Sequence, residues 1–303
     1  MAINPKKLRV YLAILAIFAF IASATAQDFE KIQIETVKVT ERIYMLVGGG
    51  GNIGVSAGED GVLLIDDQFG QLMEKIKAAI SKISDRPIRL VLNTNWHYDH
   101  VSGNELLGKS GALIISHENS RKLMMVEQSY PEFNTHLPPY PEAALPALTF
   151  KDALTLYFNG DEIQVTHIPH AHSDADIVIY FRKANVIHTG DLCFSSGYPF
   201  IDVTHGGSTN GMVEAADTIL KMIDANTKLI PGHGPLTNRE GLQKFRDMLA
   251  AVRDRIAKLV KEGKTLEEVL ASKPTADFDK DWHTGMQPEL FLKIVYNDLI
   301  KLN

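Results

Sequence analysis

Short apolar runs in this chain repeatedly end in a histidine or an aspartate. "GVLLID" stops at Asp66, and "IRLVL" leads straight into "NTNWHYDH", residues 93–100. "VIHTGD" stops at Asp191, and "LIPGHG" sets His233 between two glycines. Apolar runs this short, rich in Val and Ile and bounded by turn residues, read as strands. Collecting polar side chains from several strand ends on one sheet edge is how α/β folds build sites. The pattern therefore constrains the fold and the place of the site together.

The rest of the chain fits an α/β reading. Residues 31–66 alternate as strands around the glycine run at residues 48–51, and "QLMEKIKAAISKI" carries apolar residues at helical spacing. The glycine run reads as a hairpin turn that uses positive φ, and as a flap over the site. "SHENSRKLMM" is a predicted helix, and residues 131–149 hold five prolines, which predicts a long loop acting as lid or connector. A second strand-rich half follows, then the amphipathic "GMVEAADTILKMIDA" and a helical end closing with "PELFLKIVYNDLI". Thr237-x-x-Glu240 and Thr265-x-x-Glu268 have capping-box spacing. Two α/β halves packed sheet to sheet is the expected architecture.

The first residues have a different character. Lys6, Lys7 and Arg9 precede an apolar run over residues 10–21 and the exit Ala24-Thr25-Ala26. That order of charge, apolar run and small residues is expected of a secretory signal peptide over 1–26, cleaved after Ala26. The run is short of the roughly 20 residues a membrane span needs. Residues 27–303 are then one domain with a helical C-terminal end, periplasmic or secreted, with no stable membrane insertion after cleavage. They carry 28 basic and 37 acidic side chains, a balance that argues against nucleic acid as a partner. The single cysteine, Cys193, excludes an internal disulfide and reads as a small buried hydrophobe.

Histidine and aspartate are zinc-type ligands. In residues 93–100, Asn95 and His97 are expected on one side of the strand end, with Asp99 and His100 in the turn that opens the next helix. One stretch can thus serve two adjacent metal positions. Trp96 and Tyr98 alternate with them and are expected to face the sheet packing. His172 lies in a loop between two strands, and Asp191 and His233 lie just past strands.

Asn95-x-His97-x-Asp99-His100, followed by His172, Asp191 and His233, resembles the metallo-β-lactamase-fold hydrolase superfamily. Its usual signature is His-x-His-x-Asp-His, then a histidine, a bridging aspartate or cysteine, and a last histidine. The resemblance runs over roughly residues 35–250 and implies a four-layer αββα sandwich, two packed mixed β-sheets flanked by helices. It also implies a zinc-dependent hydrolase with one or two Zn²⁺ per chain and a small-molecule substrate. Asn95, His97 and His172 would face the first metal. Asp99, His100 and His233 would hold the second, which Asp191 bridges or completes. Asp66 would orient the ligand loop, and Asp99 would be the catalytic residue that handles the proton of a metal-bound hydroxide.

Asn95 departs from the usual pattern. An amide is a weaker zinc ligand than an imidazole, so the second site (Asp99, His100, His233) is expected to be the tighter. One group of metallo-β-lactamases also has Asn there, which makes β-lactam hydrolysis one implied activity. Asp191 instead resembles the branches that hydrolyse lactones, thioesters or phosphoesters. A reading from another class is a non-catalytic periplasmic zinc-binding accessory protein. Of the other histidines, His205 in "THGGS" is expected to contact substrate or lend an imidazole to the depleted first site. His170 and His188 are expected to be structural.

Overall fold

The computed structural model describes residues 28–130, 135–282 and 284–301. The expected leader over 1–26 lies outside the described residues, as do Pro131 and His283. The chain divides into two units, residues 1–33 and 34–303. What is described of the first is a turn in which the Lys31 N–H donates to the Asp28 carbonyl at 3.1 Å.

In the second unit, β1 (Glu35–Lys38), β2 (Ile43–Val47), β3 (Ile53–Gly58), β4 (Gly61–Ile65), β5 (Ile88–Leu92), β6 (Leu113–His117) and β9 (Leu148–Phe150) form a seven-stranded sheet in that order. β1 to β4 are antiparallel, and β4, β5, β6 and β9 are parallel. The second sheet holds β10 (Ala153–Phe158), β11 (Asp161–His167), β12 (Ile177–Phe181), β13 (Val186–His188), β14 (Lys228–Ile230) and β15 (Thr237–Asn238). Only β13 and β14 pair in parallel there.

β12 explains the layering. Its residues are all buried because its two faces serve two cores. Ile177, Ile179 and Phe181 join Ile43, Met45, Leu63, Ile65 and Leu92 of the first sheet in one core. Val178 and Tyr180, on the opposite face by the two-residue period, join a core with the helices Thr209–Met222, Arg239–Lys261 and Pro288–Ile300. On the first sheet, the helices Asn104–Lys109 and Glu118–Met124 pack against β6. The fold is therefore mixed α/β, two large mixed sheets packed face to face with helices outside, as expected.

Two local expectations change. Thr265 and Glu268 do form a capping box. Thr237, by contrast, pairs in β15, and the long helix begins one residue later, with the Asn238 side chain accepting from Gly241 N–H. The proline-rich stretch is also more structured than a loop: β8 (Thr135–Leu137) pairs with β7 (Gln128–Tyr130), and a 3₁₀ turn, Glu142–Ala144, precedes β9. Among the described residues no helix is long and apolar enough to cross a membrane.

Candidate metal centre

Except for His172, in the loop between the antiparallel β11 and β12, the ligand-type residues follow the ends of strands that have a parallel partner. β4 delivers Asp66, β5 leads into residues 93–100, β13 into Asp191 and β14 into His233. β5 ends at Leu92, so the motif itself is not strand. His97 caps the single-turn helix Tyr98–Val101, which carries Asp99 and His100. Two groups result: His97, His172 and Asp191 in one, Asp99, His100 and His233 in the other. Within each group the candidate ligand atoms all lie within 4.8 Å of one another.

Asp191 stands between the groups. Its Oδ2 is 3.1 Å from His100 Nε2 and 3.4 Å from His172 Nε2, and its Oδ1 is 3.4 Å from His233 Nε2. Asp99 Oδ2 lies 3.3 Å from His233 Nε2 and 3.6 Å from His100 Nε2. Four zinc ligands at 2.0–2.1 Å form a tetrahedron with edges of about 3.3 Å. Among the described residues, His100 Nε2, His172 Nε2 and Asp191 Oδ1 are buried and make no hydrogen bond. Buried polar atoms are nearly always satisfied; His100 Nε2 and His172 Nε2 each stand near edge length from Asp191 Oδ2, and Asp191 Oδ1 from His233 Nε2, so these orphaned atoms fit zinc-type cations in the two groups.

Carboxylates fix which ring nitrogens face inward. A carboxylate only accepts, so each of these ring nitrogens donates. His100 Nδ1 donates to Asp66 at 2.8 Å, His172 Nδ1 to Asp176 at 3.0 Å, and His97 Nε2 to Asp202 at 2.9 Å. Such partners set the tautomer and raise ligand basicity. Asp66 has φ 63 and is itself held by Thr94, whose N–H and Oγ donate at 2.7 and 2.6 Å. Asp176 accepts from the N–H and hydroxyl of Ser173.

Asn95 is tied into the centre by two hydrogen bonds. Its Oδ1 accepts the His97 N–H at 2.8 Å, and its Nδ2 donates to Asp191 Oδ2 at 3.3 Å. Reversing the amide would set oxygen against carboxylate oxygen and NH₂ against N–H, so the network fixes its orientation. Asn95 thus steadies Asp191 through Nδ2, while Oδ1 accepts one hydrogen bond and keeps a second lone pair. Trp96 is buried as expected, but Tyr98 is 38% exposed and lines the cavity. The expectation for Tyr98 fails because the strand has already ended and helical spacing turns it outward.

His205 is brought near the centre but touches Asp202, at 2.7 Å from Nδ1. His170 points away, its side chain 71% exposed and paired with Asp174. His188 is buried, donating from Nε2 to the Asn52 carbonyl and accepting the Gly190 N–H on Nδ1. Sequence reading missed Asp176 and Asp202. The spacing of Asp176 four residues after His172 could have raised it; nothing local marks Asp202.

The glycines of residues 48–51 press on this centre. Gly51 N–H donates to the Asp99 carbonyl at 3.1 Å, and a Cβ there would lie only 2.3 Å from His100 Cε1. Gly232 is equally constrained, since its Cβ would collide with Asp191 Oδ1. Both are needed for close backbone approach.

The electrostatics follow from crowding carboxylates and imidazoles out of water. Burial opposes charging His100, but Asp191, Asp99 and Asp66 outweigh it and push its pKa up. His172 is likewise opposed by burial and raised to about 9 by Asp176 and Asp191. Burial works against ionising Asp99 and Asp191, yet the facing imidazoles hold both carboxyls below their ordinary range. His188, desolvated without a compensating contact of that strength, is lowered to about 4. Cys193 is buried, with its thiol pushed up by burial.

A cavity of about 570 Å³ opens over the centre. His97, Asp99, Asp191 and His233 form its floor, and Tyr130, Leu137, Phe194, Tyr198, Phe200 and Met286 supply apolar walls. None of its described lining residues is Lys or Arg.

The family model described as "Metallo-beta-lactamase superfamily" matches residues 46–233. The "Linear primary-alkylsulfatase" of Pseudomonas sp. (strain ATCC 19151) is 22% identical over 252 residues, 70% of this chain and 47% of its own length. The "Hydroxyacylglutathione hydrolase" of Pelagibacter ubique (strain HTCC1062) is 28% identical over 161 residues, 52% of this chain and 57% of its own length. This chain therefore spans about half the length of these curated relatives. Among solved structures, a metallo-beta-lactamase from Pontibacter korlensis superposes with a TM-score of 0.59 at 17% identity, covering 72% of this chain and 99% of that one. The matched residues run from β2 to the last candidate ligand, His233, more than half of the chain, and this chain therefore belongs to the metallo-beta-lactamase superfamily.

Proposed function

We propose that this chain is an exported zinc-dependent hydrolase of an ester-type bond, acting on a small substrate with an apolar arm and no second anionic group. The observation that carries the reading is the cavity: apolar walls lead to the centre, and no described lining residue is Lys or Arg. A substrate carboxylate away from the reacting bond would meet hydroxyls but no described Lys or Arg there, so its charge would go unpaired at a cost. Neutral lactones and alkyl or acyl esters avoid that cost, as does an alkyl sulfate whose only charge sits at the centre. The relative named as an alkylsulfatase supports an apolar arm of this kind.

Zinc held by the two groups would supply Lewis acidity and a nucleophile at neutral pH. The chain's own residues do the rest. Asp66, Asp176 and Asp202 keep the imidazoles in one tautomer, and Asn95 holds Asp191 between the groups. Asp99 reaches the cavity floor, where its carboxylate would orient the nucleophile by accepting a hydrogen bond from it.

The test is turnover by the zinc-loaded protein of short and long p-nitrophenyl esters, a hydrophobic lactone, an octyl sulfate and a chromogenic cephalosporin. The expected result is turnover of the apolar substrates and a fall in kcat/KM when a carboxylate is added to the same arm. A cephalosporin or carbapenem turned over better than all of them overturns the reading. It would favour β-lactam hydrolysis instead, the alternative that the Asn95-x-His97-x-Asp99-His100 pattern supports. Inertness toward the whole panel would favour the zinc-binding accessory protein. Export through residues 1–26 is tested by N-terminal sequencing of protein from the periplasmic or culture fraction, where Gln27 is the expected first residue.

A further inference from the structure

The two groups of candidate ligands are not equally endowed. The second has a carboxylate of its own in Asp99, and the first has His97, His172 and a share in Asp191. Asn95 contributes no imidazole to it. Behind His97, however, lies an arrangement absent behind His100 and His172. Its supporting carboxylate is gripped by a second imidazole. Asp202 accepts from His97 Nε2 at 2.9 Å, and both of its oxygens lie 2.7 Å from His205 Nδ1. The His205 backbone N–H donates to the same carboxylate at 3.1 Å.

Asp202 also reaches the other histidine of the group. Its backbone N–H donates to the His172 carbonyl at 2.8 Å, and its carbonyl accepts the Gly207 N–H at 2.9 Å. Gly207 is glycine because a Cβ there would overlap the His172 carbonyl. His205 is fixed in turn, edge-on to Trp96 at 4.8 Å between ring centres, with its carbonyl accepting the Asp174 N–H at 3.0 Å. Asp202 is 1% exposed, so its charge is not screened by water.

We propose that Asp202, held by His205, is the positioning unit of the first metal group and offsets the imidazole missing at Asn95. An anionic acceptor on Nε2–H pins the His97 tautomer and makes its other nitrogen a stronger donor to a cation. His205 keeps the carboxylate aimed at His97 when the ring could otherwise turn. This rests on the reading of the centre as a metal site, and it concerns metal occupancy rather than substrate.

The test is titration of the metal-free protein with Co²⁺, following the visible spectrum and the equivalents bound, with thermal melting alongside. The variants are Asp202→Asn, His205→Ala and His205→Gln. In the wild type, two Co²⁺ are expected. Asp202→Asn is expected to weaken the first-group Co²⁺ by about 10- to 100-fold and leave the second-group spectrum in place. His205→Ala should weaken the same step less, and His205→Gln should recover it, because an amide N–H can still donate to Asp202. First-group affinity unchanged in Asp202→Asn overturns the proposal. Equal weakening of both groups with a lowered melting temperature also overturns it, as that marks a general packing role. A wild type that binds one Co²⁺ yet turns over ester substrates would remove this proposal and leave the hydrolase reading standing.

Discussion

Asp66 Oδ2 lies 2.8 Å from Nδ1 of His100, and both side chains are fully buried. The contact decides which nitrogen of His100 faces Asp99 and Asp191. Replacing Asp66 with Asn keeps the volume but substitutes a neutral group for the anion behind the ring. Second-group zinc affinity is expected to fall by about 10- to 100-fold, read by chelator competition. Unchanged affinity would show that Thr94 and the backbone alone orient His100.

Gly51 and Gly263 separate close approach from backbone strain. Gly51→Ala places a methyl group 2.3 Å from His100 Cε1, displacing the ring, and is expected to abolish stoichiometric zinc binding. Gly263 has φ +74 with nothing near its Cβ position, so Gly263→Ala should cost only about 1–2 kcal/mol of stability. Zinc content and urea denaturation of the two variants check this. Full zinc occupancy in Gly51→Ala would contradict the packing.

Metal uptake should release protons. His172 is raised from 6.5 to about 9 in the metal-free protein, so it holds a proton at pH 7 that a metal ligand must give up. Apparent zinc affinity should therefore climb as pH rises toward 9. In the metal-free protein the raised pKa favours the fold below pH 6.5, and that contribution is lost as pH rises through about 9. Calorimetry in buffers of differing ionisation enthalpy reads the proton release. Identical heats in all buffers would exclude it.

His188 has the opposite sign. Its pKa falls from 6.5 to about 4 on folding, so its contribution is present above pH 6.5 and lost as pH falls through about 4. His188→Asn should flatten the acid limb of the stability curve over that window. An unchanged acid limb, measured by melting from pH 7 to 3.5, would assign acid unfolding to other groups.

The cavity's lack of a described cation is open to redesign. Leu137→Lys places an ammonium in its wall. The ratio of kcat/KM for carboxylate-bearing over neutral esters is expected to rise about tenfold, roughly 1.4 kcal/mol. No change in that ratio would mean that Leu137 does not face the substrate arm.

What the sequence determined by itself is local. Short apolar stretches leading into Asp66, Asn93, Asp191 and His233 marked strands of three to five residues and the edge where polar side chains gather, because strand periodicity and burial are written in neighbouring residues. His97, Asp99 and His100 were legible for the same reason, lying within four positions of one chain. Tertiary structure decided which atoms meet. Asp202 lies 105 residues from the ring it supports, and Asp191 lies 96 from the amide that holds it. Neither link leaves a local pattern, since a hydrogen bond across a core needs only a suitable side chain at each end. Asn95 is the clearest case. Its position in the motif suggested a ligand, but an amide can accept or donate, and only its packed neighbours determine which atom is left for a metal.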